Sequence, residues 1–458
     1  MNPLIIVSHR VSRPQSSTAP GGLAVGVLAA LRQCGGTWVG WSGELADEPA
    51  SSPQMSEDEG IRYATIDLPR ADFDAYYSGF CNGSLWPICH YFPGRFRYDA
   101  NEYAAYQAIN RRMAAAVARL GEPASPVWVH DYQLIGAGRY LRAEGMNGPL
   151  GFFLHIPFPN VEVLRILPVY AELVRDLCQY DLVGFQTEQD LRGFRSAVRD
   201  VFGEQAISAA THVIADGRKV DVGIFPIGVD VEAITSQATE AQGDEQVQRL
   251  VAGLLGRKLL LGVDRLDYSK GLVERFTAYR HLLESSPEHL GRITYIQIAP
   301  LSRMNVAAYA EIRDALEKAA GHTNGQYADT DWTPVRYLNR DFPHHVLLGF
   351  LRCANVCAVT PVRDGMNLVA KEFVAAQDPE NPGALVLSNM AGAAHELTDA
   401  LLVNPYDEHA VAAALREALE LPLADRRARH AKMLAALRSN TIRHWHESFV
   451  AALRAASQ

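Results

Sequence analysis

Arg265 and Lys270 stand five positions apart in "VDRLDYSKGL" (263–272), between an apolar run and a helical segment beginning near Leu272. Lysine offers a point charge and arginine a two-pronged donor, so the pair suits the two phosphates of a pyrophosphate. Asp264 and Asp267 in the same loop leave a second reading open, in which the cations serve local ion pairs. A further cluster lies in "TPVRDGMNLVAKEF" (360–373), with Arg363 and Asp364 in a turn and Lys371 and Glu372 beside apolar Leu368, Val369 and Phe373. Gly365 permits unusual backbone angles, and Met366, Asn367 and Leu368 would make the first helical turn. Unpaired N–H groups there carry partial positive charge and attract an anion. Glu372 fits either a carboxylate accepting both vicinal hydroxyls of a ribose or a salt bridge to Lys371 or Arg363. Gly21 and Gly22, opening the helical "GGLAVGVL", allow close approach of a ligand or simply form a turn.

These residues need a scaffold, and its elements are readable. Short apolar runs recur at 4–7, 127–129, 150–154 and 181–185, then at 258–263, 292–298, 335–338, 356–359 and 384–388. Segments of helical spacing lie between them, as at Leu23, Val27, Leu28 and Leu31. Near-continuous apolar strands alternating with helices indicate parallel sheets covered on both faces. A polar stretch at 232–249 separates the two series. The expected fold class is α/β, with two doubly wound domains at 1–230 and 231–440. The amphipathic segment 441–458, carrying Ile442, Trp445, Phe449 and Leu453, is expected to pack back on the first. In such folds ligands bind beyond the carboxyl ends of strands. Ser8, His9 and Arg10 follow the first run, His130 and Asp131 follow "VWV", and His155 and Pro157 follow "LGFFL". Polar strand ends in both halves imply an active site in one shared cleft.

The bulk composition excludes several classes. The chain has 458 residues, 48% hydrophobic and 21% charged, which describes a globular protein too long for one ordinary core. A formal net charge of −9 argues against a general nucleic-acid partner. No apolar stretch approaches the roughly 20 residues that span a bilayer, and "PLIIV" before His9 is too short for a signal peptide. The expectation is a cytoplasmic protein without a membrane partner. Six scattered cysteines with no C-x-x-C suggest reduced thiols. "HDY" and "HIP" lack partners at metal-ligand spacing, and no P-loop or G-x-S-x-G elbow occurs, so no metal site and no cofactor is expected.

Taken in order, "GGLAVGVL", "GTWVGWSGE", "LWPICHY", "VWVHDYQL", "GFFLHIPFP", "FQTEQD", "VDRLDYSKGL", "IAPLSR" and "TPVRDGMNLVAKEFVAAQDP" resemble the trehalose-6-phosphate synthases. These are retaining glycosyltransferases of GT-B architecture, with two Rossmann-like domains. The resemblance runs from Leu4 to about Phe449. It implies glucosyl transfer from a nucleotide sugar, usually UDP-glucose, to glucose 6-phosphate, giving α,α-trehalose 6-phosphate. It also implies that the first domain binds the acceptor and the second the nucleotide sugar. Arg265, Lys270 and the backbone of Met366, Asn367, Leu368 and Val369 would hold the donor pyrophosphate. Glu372 would bind the ribose, Gly22 would lie near the donor phosphates, and Asp364 and His155 would contact the donor glucose. Arg10, Tyr77, Trp86 and Arg303 would grip the acceptor phosphate, with Trp41 and Asp131 nearby. The chemical step would fall to Arg265, Lys270, His155, Asp364 and Asp131. The chain departs from the family pattern at His9, Tyr103 and Met304-Asn305, largely on the acceptor side. Two alternatives therefore stand beside it: transfer to another phosphorylated acceptor such as glycerol 3-phosphate, and a pseudo-glycosyltransferase joining cyclitols. A catalytically dead sensor would be expected to have lost His155, Asp364 or a cation, and all are present. The partners implied are small-molecule substrates, with self-association into a homo-oligomer left open.

Overall fold

The computed structural model describes residues 3–12, 22–50, 52–207, 209–301 and 307–456. Gly21, Arg303, Met304 and Asn305 lie outside the described residues. The chain divides into two compact units, one of Met1–Ile227 with Ile442–Gln458 and one of Gly228–Thr441.

The first unit is built on nine strands: β1 (Ile5–Arg10), β2 (Gly36–Ala46), β3 (Gln54–Asp58), β4 (Ile61–Pro69), β5 (Val127–His130), β6 (Leu150–Phe153), β7 (Leu182–Phe185), β8 (His212–Ala215) and β9 (Arg218–Ile224). They are ordered β3-β4-β2-β1-β5-β6-β7-β9-β8. All neighbours are parallel except β3 with β4 and β8 with β9 at the two edges. The strand order reverses between β1 and β5, the switch point where such sheets bind ligands. The helix Ile442–Ala456 belongs to this unit. Its Phe449 ring stacks on Trp128 with centroids 4.4 Å apart, and Trp445 lies 5.0 Å from the same ring. Gly151 and Gly184 make room for it, since a Cβ at either would come within 2.9 or 2.7 Å of Phe449. Between β4 and the helix Ala100–Leu120 runs a twelve-residue π-helix, Asp74–Leu85, a rare form that often sits at functional positions.

The second unit carries six strands: β10 (Lys258–Val263), β11 (Ile293–Ile298), β12 (Val335–Leu338), β13 (Val356–Val359), β14 (Ala384–Ser388) and β15 (Leu401–Val403). The order is β12-β11-β10-β13-β14-β15 and every pairing is parallel. β10, β13 and β14 are apolar and almost wholly buried, as strands covered on both faces must be. Its order reverses between β10 and β13, which places the two charged loops of the sequence side by side. Gly271 starts the helix Leu272–Ser285 at φ 62°, where a Cβ would strike the Thr360 carbonyl at 2.2 Å. Only glycine fits the crossing of those loops.

Candidate active site

In the second unit the loop after β10 meets the turn after β13. Lys270 Nζ donates to Asp364 Oδ2 at 2.5 Å, with the two side chains only 11% and 14% exposed. Asn367 Nδ2 donates to the same oxygen at 3.0 Å. Asn367 itself adopts φ 75° and caps the helix Leu368–Ala376, its Oδ1 accepting from the Ala370 N–H. The helix thus begins two residues later than the sequence suggests, because Asn367 is its cap rather than part of its first turn. That cap leaves the Leu368 and Val369 N–H groups without an intrahelical partner. Met366 is buried and its carbonyl accepts from the Ala393 N–H at 2.8 Å, which pins the segment from behind. Arg265 is exposed and makes no hydrogen bond or ion pair among the described residues. Among the described residues Lys270 pairs with Asp364, from the turn after β13, rather than with an acid of its own loop. Asp264 pairs with Arg275, and Asp267 accepts from the Ser269 N–H and the Tyr309 hydroxyl.

Among the described residues Glu372 meets His344 and not Lys371 or Arg363, the salt-bridge partners the sequence offered. Its Oε1 lies 3.2 Å from His344 Nε2, while the neighbouring Lys371 is fully buried and donates to Glu396 Oε1 at 2.6 Å. The Glu372 contact raises the His344 pKa against the opposing effect of burial. Burial lowers that of Lys371, with Glu396 opposing it.

In the first unit the polar groups gather at the ends of β1, β5 and β6. Asp131 takes φ 74°, an uncommon angle for a residue with a side chain. Its N–H donates to the Phe153 carbonyl at 2.8 Å, and its Oδ1 accepts from the His155 N–H at 3.2 Å. His155 reaches the surface in part, but its ring is set among Phe153, His130 and Trp445. Burial pushes its pKa down to about 3, so the imidazole is neutral at physiological pH. His9 stacks on Tyr77 with ring centroids 4.4 Å apart and planes 3° from parallel. Trp41 lies 5.3 Å from His9, and the exposed Arg10 places its guanidinium 5.6 Å from the Trp41 centroid. Arg10, Trp41 and Tyr77 are therefore brought together around His9. Trp86 is buried, stacked on His90 at 4.0 Å and 5.6 Å from Tyr132. Tyr103 donates to Glu172 Oε2 at 2.9 Å and packs with Phe80 and Tyr106. Gly22 is the first residue of the helix Gly22–Cys34.

Sequence reasoning missed Arg275. It is fully buried in the helix Leu272–Ser285, with Asp264 at 2.7 Å, Gln297 Oε1 at 3.0 Å, Thr360 Oγ1 at 2.9 Å and the Lys270 carbonyl at 3.2 Å. One guanidinium thus ties β11 and the ends of β10 and β13 to the loop bearing Lys270. The available signal was its place on the apolar face, three residues after Leu272 and one before Phe276. Glu288, His289 and Glu420 form a grouping of ligand-type side chains at the amino edge of this sheet, opposite the Lys270 loop.

Two parallel-sheet units, each with polar groups gathered where its strand order reverses, define a two-domain α/β enzyme of the GT-B kind. Residues 7–455 match Glycosyltransferase family 20. The trehalose-6-phosphate synthase of Cronobacter sakazakii is 47% identical over 458 residues, covering 99% of this chain and 95% of that relative. The crystal structure of an alpha,alpha-trehalose-phosphate synthase (UDP-forming) from Burkholderia xenovorans, in complex with glucose-6-phosphate, matches with TM-score 0.96 at 44% identity. That match covers 98% of this chain and 100% of the other. A structure from E. coli bound with UDP-2-fluoro glucose matches with TM-score 0.94 at 44% identity, covering 98% of each chain. The chain belongs to glycosyltransferase family 20. Among the described residues no helix is long and apolar enough to cross a membrane.

Proposed function

We propose that this chain is a retaining glucosyltransferase that moves glucose from UDP-glucose to glucose 6-phosphate, giving α,α-trehalose 6-phosphate and UDP. One observation carries the reading: likeness over 98% of the chain to structures in complex with glucose-6-phosphate and with a UDP-glucose analogue. The second unit binds the donor. Arg265, Lys270 and the Leu368 and Val369 N–H groups meet its pyrophosphate, Glu372 its ribose, and Asp364 its glucose. The first unit binds the acceptor, with Arg10, Tyr77, Trp86 and Arg303 on the phosphate and Trp41 and Asp131 beside the sugar. Gly22 approaches the donor phosphates and His155 the donor glucose.

In the chemical step the bond from glucose C1 to the diphosphate oxygen breaks through an oxocarbenium-like state. The 1-hydroxyl oxygen of the acceptor bonds to C1 on the same face. Its proton passes to the departing diphosphate oxygen, so retention needs no protein nucleophile. The protein supplies position and charge: Lys270, Arg265 and the helix terminus offset the negative charge growing on UDP. With two cations and a helix terminus on that charge, activity is expected to survive EDTA. Full loss reversed only by magnesium or manganese would reject this account of the diphosphate.

The deciding experiment measures nucleotide release with UDP-, GDP- and ADP-glucose crossed with glucose 6-phosphate, free glucose and glycerol 3-phosphate. Turnover is expected with UDP-glucose and glucose 6-phosphate, preferred over free glucose by at least about a thousandfold, because a site that meets a phosphate with charge-assisted hydrogen bonds rejects the analogue that lacks it. Comparable use of free glucose, or preference for glycerol 3-phosphate, would overturn the acceptor assignment.

A further inference from the structure

His130 closes β5 and is 0% exposed. Its ring is walled in by Trp128 at 4.4 Å, His155 at 5.3 Å, Trp445 at 6.2 Å and Phe153 at 6.4 Å between centroids. His130 Nδ1 lies 3.1 Å from His155 Nε2. Its other nitrogen, Nε2, is buried with no hydrogen-bond partner among the described residues. Burial keeps both imidazoles neutral, driving His130 well below its usual pKa with the His155 ring adding to the effect.

Two neutral rings share one proton across that contact, and two arrangements are available. If His155 Nε2–H donates, His130 must carry its own proton on Nε2, a buried N–H with nothing to receive it. If His130 Nδ1–H donates, only a lone pair is left unpartnered at His130 Nε2. Orphaned buried N–H groups are the rarer and costlier of the two. We infer that His130 is a positioning residue that locks His155 as its Nδ1–H tautomer, so that His155 meets the donor sugar as a neutral hydrogen-bond donor. In this state the His155 Nε2 lone pair is occupied and Nδ1 is protonated. His155 therefore cannot take the acceptor proton, which goes to the departing diphosphate. The inference rests on the reading of His155 as a contact of the donor glucose.

The test is nitrogen-15 NMR of the full-length protein labelled at histidine, in two-bond proton–nitrogen correlation at neutral pH, with His155 identified by its loss in His155→Gln. The expected pattern has His155 Nδ1 in the protonated range and Nε2 in the unprotonated range; the reverse overturns the inference. Kinetics give an independent arm. His130→Leu removes the donor and should lower kcat roughly tenfold, the loss of one hydrogen bond, with a mixed tautomer signal. His130→Asn keeps an N–H near the Nδ1 position and should restore most of both. Unchanged tautomer and kcat in His130→Leu would sink the proposal. Failure of the wild type to turn over UDP-glucose with any acceptor would defeat the functional reading alone, since the tautomer pattern is read without substrate.

Discussion

Replacing Arg275 by methionine removes the guanidinium that joins β11 to the ends of β10 and β13. It deletes four hydrogen bonds at 2.7–3.2 Å and strands Asp264, whose side chain is 2% exposed. Breaking a buried ion pair by removing one partner costs about 3–5 kcal/mol, because the other charge stays buried and unpaired. For a unit the size of Gly228–Thr441 this corresponds to a fall of roughly 6–20 °C in its melting transition. Asp264→Asn with Arg275→Met removes the stranded charge as well and should recover more than half of the loss. The pH dependence has a definite sign. Burial raises the Asp264 pKa, while Arg275 and then Lys270 hold it down. A carboxyl whose folded pKa lies above its unfolded value binds a proton on folding, so its contribution to stability grows as pH falls through the folded pKa. The deficit of Arg275→Met should therefore shrink toward acid pH. Scanning calorimetry across pH would check both effects. Since Arg275 also holds the Lys270 carbonyl, kcat should drop more than the donor KM rises. A single variant melting within about 2 °C of wild type at neutral pH, with normal kcat, would refute this account of the site's support.

Lys270→Ala and Arg265→Ala should each lower kcat by about two orders of magnitude, since both are proposed to meet charge that grows in the transition state. The double variant should fall short of the product of the two, and clean multiplicativity in steady-state kinetics would show that they do not share a ligand. Glu372→Gln should weaken the donor more than the acceptor; an unchanged donor KM with a raised acceptor KM would remove Glu372 from the ribose. Acid stability should carry the mark of His155. Its folded pKa of about 3 lies below the unfolded value of about 6.5, so its contribution is complete above that value and is lost as pH falls toward 3. Near pH 5 the cost is about 2 kcal/mol, and His155→Gln should flatten that slope in chemical denaturation if the imidazole is responsible.

Much of this protein is written locally. The apolar runs that become β10, β13 and β14 are legible because a strand covered on both faces must be apolar at nearly every position. The alternation of such runs with helical spacing is enough for the α/β class, and the ordered motifs suffice for the family. The loops with Arg265, Lys270, Arg363 and Asp364 stand out for the same reason, as charge set at the ends of apolar strands. Local reading fails where partners are chosen over distance. Lys371 and Glu372 are adjacent, yet one enters the interior to meet Glu396 and the other turns to His344, because consecutive helical residues point about 100° apart.

The sequence by itself determined the apolar runs that become β1, β5, β6, β7 and β10 to β14 and which loops carry charge, since these follow from the period and polarity of neighbouring residues, whereas β2, β3, β4, β8, β9 and β15 were not among those runs. Tertiary structure alone decided the strand order that sets the loops after β10 and β13 side by side, and with it the Lys270–Asp364 contact across 94 residues. It also decided the antiparallel edge strands, the π-helix that carries Tyr77, and the burial of Arg275 and His130. A charged or polar side chain within an apolar stretch has no fixed fate in one dimension. Whether it is a liability or a hub depends on acceptors brought from elsewhere in the chain, as Asp264, Gln297 and Thr360 are brought to Arg275 by the parallel sheet.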